Sequence, residues 1–305
     1  MKIAFINNGK SYLPEIKAYT DYLNKRGFSA MEVYSGQKEV IEKFDIVWKF
    51  MGLDMKRDNK NQFYIHEYCS LSVGKLSKQK DLLKKYLNCK PTGRLFLNEE
   101  LYQRMNFKDN LPYLKRDMGI SHSFYTNQDK KDYDFIYLGD TSKSRKLNNL
   151  LTNFKTQNRD QNIIVIGSIS NELYKNFKSA DNIIFTGKIN HEDVPSVASK
   201  AVYGINYVPN IFPFNIQTST KLLEYCALGL KIITTNYNWV NQFEENRGAR
   251  FLKVDEDLTN FTRDRIEKFD FYTPNVEDLR WENIFENIGL IHYINTSIKH
   301  GERVN

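Results

Sequence analysis

Short apolar runs rich in Val, Ile, Phe and Tyr alternate with stretches of helical spacing along this chain, and the alternation begins twice. Before residue 125, strand-like runs occupy Lys2–Asn7, Phe28–Tyr34, Asp45–Phe50, Gln62–Tyr68 and Arg94–Asn98, with a last strand and turn over Asn110–Ile120. A helix opens at Pro14 and runs to Arg26, because Ile16, Tyr19, Tyr22 and Leu23 recur at helical spacing and Gly27 stops it. Val40 and Ile41 mark a shorter helix. Tyr125–Asp132 contains no aliphatic residue and reads as a linker. Beyond it the strand pattern resumes at Phe135–Gly139, Ile163–Gly167, Ile183–Gly187, Ala201–Tyr207, Lys231–Thr235 and Phe251–Val254. Helical patterns cover Lys146–Phe154, His191–Ala198 and the stretch after Ser219. In the helical tail from Val276, Leu279, Trp281, Ile284, Phe285, Ile288 and Ile291 are spaced for burial. Such alternation implies an α/β fold with parallel, doubly wound sheets, whose ligands gather at the carboxyl ends of the strands. The expected division is a Rossmann-like domain at 1–127, a second at 128–286, and a helix at 287–305 that packs back on the first.

The chain is long enough for two domains of ordinary size, with 305 residues. Its 41% hydrophobic and 27% charged residues exclude a disordered chain. Cys69, Cys89 and Cys226 form no CxxC pair, so a disulfide framework or zinc site is not expected. Met1–Ile6 is too short an apolar run for a signal peptide, and no stretch approaches the roughly 20 apolar residues of a membrane span. The expected location is the cytoplasm. The formal charge of +7 favours anionic surroundings. Its densest basic segment, Lys75–Arg94, sets seven basic residues against Asp81, with Leu82, Leu83, Tyr86 and Leu87 as its apolar side. The segment reads either as a solvated surface helix or as a peripheral contact with an anionic membrane at its inner face.

The stretch Gln217-Thr218-Ser219-Thr220-Lys221-Leu222-Leu223-Glu224-Tyr225-Cys226-Ala227-Leu228-Gly229 carries the most chemistry. Three hydroxyl residues open a helix and Gly229 closes it. Open amides at a helix start suit a phosphate, and Lys221 and Glu224, three apart, share one face. An ordinary α/β helix with a solvated Lys–Glu pair has the same spacing.

Together with the order of two Rossmann-like halves, two motifs give the chain a family likeness. Ser219–Gly229 is similar to the S-x-K-L-x-E-Y-x-A-x-G form, and Tyr137-Leu138-Gly139-Asp140-Thr141-Ser142-Lys143-Ser144-Arg145-Lys146 to the strand–Gly–loop–Lys opening, of GT-B-fold glycosyltransferases of the family 4-like group. The resemblance implies two Rossmann-like domains facing an interdomain cleft, with the acceptor on the N-terminal domain and a nucleotide sugar on the C-terminal one. It implies retaining transfer without a metal; the nucleotide sugar is a substrate and no cofactor is expected. By resemblance Glu224 contacts the ribose, and Ser219 and Thr220, with Thr218 and Lys221 beside them, lie near the diphosphate. Lys146 neutralises the leaving diphosphate, and His66 faces the donor sugar; these two are the expected catalytic residues. Gly9, Gly139 and Gly167 stand at strand ends near the donor, and Lys188 and Ile189 where backbone meets the nucleobase. Lys10, Glu67 and Asp117 are expected on the acceptor side.

Two positions depart from the family form. The first glutamate of E-x7-E, which contacts the transferred sugar, is Ile216, leaving Asn215 or Gln217 to supply hydrogen bonds. The arginine after the loop glycine is Asp140, leaving Lys143 or Arg145 to supply the charge. The expected activity is transfer of a sugar to a lipid-linked or polysaccharide acceptor. A phage-type DNA glycosyltransferase acting on modified bases ranks below it, since no nucleic-acid motif is present. A nucleotide-sugar epimerase or a non-catalytic nucleotide-sugar binder is the third reading, motivated by Ile216.

Overall fold

Both patterned halves form six-stranded, all-parallel sheets. The structure, a computed structural model, describes residues 1–9, 13–55, 59, 61–72, 76–126, 128 and 130–304. The chain divides into two units, Met1–Gly119 with Asp278–Asn305, and Ile120–Glu277. The overall architecture is that of two Rossmann-like α/β domains.

The first unit runs β1 (Lys2–Asn7), α1 (Pro14–Asn24), β2 (Ser29–Tyr34), α2 (Lys38–Ile41), β3 (Ile46–Phe50), β4 (Phe63–Tyr68), α3 (Ser77–Leu87), β5 (Gly93–Phe96), α4 (Glu99–Met105) and β6 (Tyr113–Lys115). Its strand order is β2-β1-β3-β4-β5-β6. Helix α1 turns Ile16, Tyr19, Tyr22 and Leu23 inward, the spacing that its sequence shows. Tyr19 stacks between Phe5 and Phe285, with ring centroids 5.1 and 4.5 Å away, and Trp48 lies 4.9 Å from it. Phe285 comes from the C-terminal pair of helices in this unit, α11 (Trp281–Asn287) and α12 (Leu290–Val304). Trp281 beds on Gly119, where a Cβ would stand 2.4 Å from the indole, so only glycine admits the ring.

The second unit runs β7 (Tyr133–Leu138), α5 (Leu147–Thr156), β8 (Ile163–Ile166), α6 (Asn171–Phe177), β9 (Ile183–Gly187), α7 (Val194–Ala198), β10 (Ala201–Asn206), α8 (Thr220–Ala227), β11 (Lys231–Thr235), α9 (Asn238–Arg247), β12 (Leu252–Val254) and α10 (Arg263–Lys268). Its order is β9-β8-β7-β10-β11-β12, which reverses direction between β7 and β10. In an open parallel sheet that reversal leaves a crevice beyond the carboxyl ends of the two strands. Phe135, Tyr137, Leu151, Phe154, Val165 and Phe261 are among the buried side chains of its core.

Four helices, α4, α6, α9 and α10, carry too few apolar residues to stand out by periodicity. Three have an N-cap that marks them. Asn98, Ser170 and Thr262 each accept the backbone N–H three residues on, from Leu101, Leu173 and Arg265.

Candidate functional site

The crevice between β7 and β10 holds a concavity of about 260 Å³, lined by the end of β7 at Leu138, by Val208 just beyond β10 and by the start of α8. Gly204, Tyr225 and Leu138 set the place of α8. Gly204 on β10 has no side chain, so the Tyr225 ring lies where a Cβ would stand 2.5 Å away. The Tyr225 phenol oxygen then accepts the Leu138 backbone N–H at 2.8 Å, at the end of β7. Gly229, at φ +66°, closes the helix as its spacing implied.

Ser219 is the N-cap residue, yet its hydroxyl donates to Asn206 Oδ1 at 2.7 Å rather than capping the helix. The Leu222 and Leu223 amides already donate to the Ser219 carbonyl, at 3.0 and 3.2 Å, whereas those of Thr220 and Lys221 have no intrahelical acceptor among the described residues. These two are therefore open donors at the positive end of the helix dipole, an arrangement that suits an anion. Gln217, Thr218, Ser219, Thr220, Lys221 and Glu224 all line the concavity, as does Gly139. Gly139 and Gly167 meet closely: a Cβ on Gly167 would stand 2.1 Å from the Gly139 carbonyl oxygen.

Two cations reach the concavity, Lys221 and Arg145. Lys221 has no carboxylate within ion-pair distance among the described residues, and its Nζ lies 4.2 Å over the Tyr137 ring. Burial, then the Arg145 charge, pushes its amine down to about 7. Arg145 is held between Asp140, with Nε 3.7 Å from Oδ2, and the Phe214 ring, 4.2 Å from its Cζ. Burial opposes ionisation of Asp140, but hydrogen bonds from Ser142 outweigh it and hold its carboxyl below the usual range.

Lys146, expected to neutralise the diphosphate, does not line the concavity. Its backbone is left-handed at φ +54°, and Nζ pairs with Glu256 Oε2 at 2.7 Å. Glu256 also accepts the Asn210 N–H, so Lys146 ties the two loops together. Lys143 is 90% exposed and pairs with Glu172, so of the two cations expected to stand in for the loop arginine, Arg145 is the one that reaches the concavity.

Glu224 is paired with a residue the pattern reading missed. His191 Nε2 stands 3.1 Å from Glu224 Oε1, and the Phe124 ring lies 5.1 Å from the imidazole. Lys188 is exposed and Ile189 half-buried on the same β9–α7 loop. Asn215 and Ile216 fall in a 3-10 turn, and Asn215 Oδ1 is buried with no partner among the described residues.

The first unit gives its expected site residues other settings. Glu67 is fully buried, accepting Trp48 Nε1 at 2.7 Å and Arg116 Nε at 2.8 Å. Within this unit it is the buried counter-ion of Arg116. His66 is also fully buried, with Nε2 3.6 Å from Asp54 Oδ2, so it does not face an open cavity within its unit. Gly9 is exposed at φ +71°, its N–H donating to Asn7 Oδ1. Asp117 is exposed and its Oδ1 accepts the Met118 N–H. Lys10 and Lys75 lie outside the described residues. Helix α3 leaves Leu82, Leu83, Tyr86 and Leu87 at 46–70% exposure, so the apolar side of the basic segment is bare. Leu53 and Met55 are exposed as well. No helix among the described residues is long and apolar enough to cross a membrane.

Residues 121–268 match the family described as glycosyl transferases group 1. No curated protein matches the sequence. Among solved structures, HepE of Anabaena in complex with UDP and glucose matches over 100% of this chain and 98% of its own, with 9% identity and a TM-score of 0.62. Sucrose-phosphate synthase of Thermosynechococcus elongatus matches over 99% and 98%, at 12% identity and TM-score 0.61. UDP-GlcNAc 2-epimerase of Methanocaldococcus jannaschii, in complex with UDP-GlcNAc and UDP, matches over 95% and 100%, at 12% identity and TM-score 0.57.

Proposed function

We propose that this chain, a GT-B-fold protein whose residues 121–268 are a glycosyl transferases group 1 domain, transfers a sugar from a nucleotide sugar to a glycan or lipid-linked acceptor. One observation carries this reading. The first two turns of α8 bring the Thr220 and Lys221 amides, the Lys221 amine and Glu224 into one concavity with Arg145 from the turn after β7, at the switch point of the second sheet. The amides and the two cations hold the donor diphosphate. Glu224 accepts the ribose hydroxyls, and His191 fixes its orientation. As the glycosidic C–O bond breaks, negative charge grows on the leaving phosphate. Charges and dipoles already in place stabilise it without reorganisation and without a metal. Asn215 and Gln217 take the hydrogen bonds to the transferred sugar that Ile216 cannot make. Transfer retains configuration, with the leaving phosphate oxygen accepting the acceptor's hydroxyl proton on the same face, so no carboxylate pair is needed.

A thermal-shift and turnover screen against a panel of nucleotide sugars tests the donor class. One donor is expected to raise the melting temperature by mass action and to be consumed when an acceptor is supplied. No response to any member of the panel would remove the donor assignment, and an inverted product anomer by NMR would remove retention.

The bare apolar face of α3, edged by Lys78, Lys80, Lys84 and Lys85, supports an acceptor presented at an anionic membrane surface on the cytoplasmic side. The chain is then expected to sediment with anionic vesicles and to lose this on Leu82→Glu with Leu83→Glu. No sedimentation of the unaltered chain would discard the membrane contact.

Ile216 in place of an acidic residue, with UDP-GlcNAc 2-epimerases among the similar folds, supports a second reading as an epimerase. Epimerisation of a nucleotide sugar with no acceptor present separates it from transfer.

A further inference from the structure

We propose that Asp54, His66 and Cys89 form a binding site for one divalent transition-metal ion, zinc being the best match to the donor set. The three donor atoms face one another at close range. His66 Nε2 is 3.6 Å from Asp54 Oδ2, and Cys89 Sγ is 3.6 Å from Asp54 Oδ2 and 3.9 Å from His66 Nε2. Tetrahedral zinc, with bonds of about 2.0 Å to N and O and about 2.3 Å to S, separates its ligand atoms by roughly 3.3–3.6 Å. The cluster therefore needs to contract by only a few tenths of an ångström. One imidazole, one thiol and one carboxylate are a borderline-soft set that suits zinc better than magnesium or calcium.

The ligands come from three segments that the fold clamps together. Cys89 N–H donates to the Asp54 carbonyl at 2.7 Å, Asp54 N–H to Asn88 Oδ1 at 2.7 Å, and Asn88 Nδ2 to the Gly52 carbonyl at 3.1 Å. His66 sits on β4 at the carboxyl-end side of the sheet, in register with Lys49 and Arg94. Cys89 is not in a disulfide. A second triplet, Glu15, Glu67 and Cys69, has equally close donor atoms but already holds the Arg116 guanidinium, so it offers an ion no room.

Lys49 is the competitor. Its Nζ lies 2.8 Å from Asp54 Oδ2 and supplies the positive charge there when no ion is bound. Metal entry displaces Lys49 from that oxygen, releases the thiol proton to solvent, and places the ring proton of His66 on Nδ1. All these residues lie in the first unit, and the proposed transfer uses none of them, so the two readings stand or fall separately.

Titration of the reduced, chelator-stripped chain with Co²⁺ tests the site. One equivalent is expected to give tetrahedral d–d bands and a thiolate-to-metal charge-transfer band, both erased by Zn²⁺. Cys89→Ser is expected to lose the charge-transfer band, Cys69→Ser to keep it, and Lys49→Met to bind severalfold more tightly, each with an unchanged circular dichroism spectrum. Absence of the band in the folded, unaltered chain would overturn the proposal, as would an equal band in Cys89→Ser. If Cys89→Ser does not fold, the unaltered chain, Cys69→Ser and Lys49→Met still decide.

Discussion

Arg145 and Lys146 are neighbours in sequence and differ in everything the site needs. Arg145 reaches the concavity, whereas Lys146 turns away to Glu256 from a left-handed backbone. Arg145→Ala and Lys221→Met are each expected to weaken nucleoside diphosphate binding by roughly 10- to 100-fold, the worth of a hydrogen bond to a charged group. Lys146→Ala should change it by less than about threefold, since its ion pair is half exposed. Calorimetric titration of the three variants checks the ranking. A pH dependence follows from Lys221. Its amine, pushed down to about 7 in the free protein, is raised by a bound dianion, so binding takes up a proton. Affinity should be greatest below pH 7 and fall above it, by at most about tenfold per pH unit. Lys221→Arg, which stays charged, should flatten that profile; an unaltered slope would contradict the assignment. The motif from Gln217 to Gly229 was legible because helix start, hydroxyl residues and closing glycine lie in one short stretch. The choice between Arg145 and Lys146 was not, because one backbone torsion decides it. His191 was hidden for another reason: its partner Glu224 lies 33 residues away.

Helix α8 is aimed by one glycine. A methyl at Gly204 would meet the Tyr225 ring at 2.5 Å and push the helix from β10. Gly204→Ala is expected to destabilise the fold by about 1–3 kcal/mol, the usual cost of overpacking, and to weaken diphosphate binding as the first turn shifts. A thermal melt with a binding titration reads both; a full-strength variant would show that α8 is not held this way. In the first unit, Glu67 and Arg116 form a fully buried pair joined by Glu15 and Trp48. Glu67→Ala leaves the guanidinium with only a more distant carboxylate, and should cost about 3–5 kcal/mol in denaturant unfolding. A change below about 1 kcal/mol, the level of an exposed pair, would contradict the buried role. The strands were legible because buried parallel strands are nearly continuous apolar runs. The polar helices α6 and α10 were not, although Ser170 and Thr262 announce their starts.

The whole chain is two parallel sheets of different strand order, each built around its own core. Its alternating pattern fixed that architecture, and long-range choices such as the place of Trp281 on Gly119 depended on packing no local pattern shows. The second sheet reverses where its motif helix begins, and the proposed donor site rests on that coincidence. Its most direct test is isothermal titration of a panel of nucleoside diphosphates into the unaltered chain and into Glu224→Ala. One nucleoside diphosphate is expected to bind at one per chain, and Glu224→Ala to weaken it by roughly 10-fold or more, as loss of a buried acceptor for hydroxyl groups should. Failure of the folded chain to bind any member of the panel, or binding that Glu224→Ala leaves unchanged, would contradict the account.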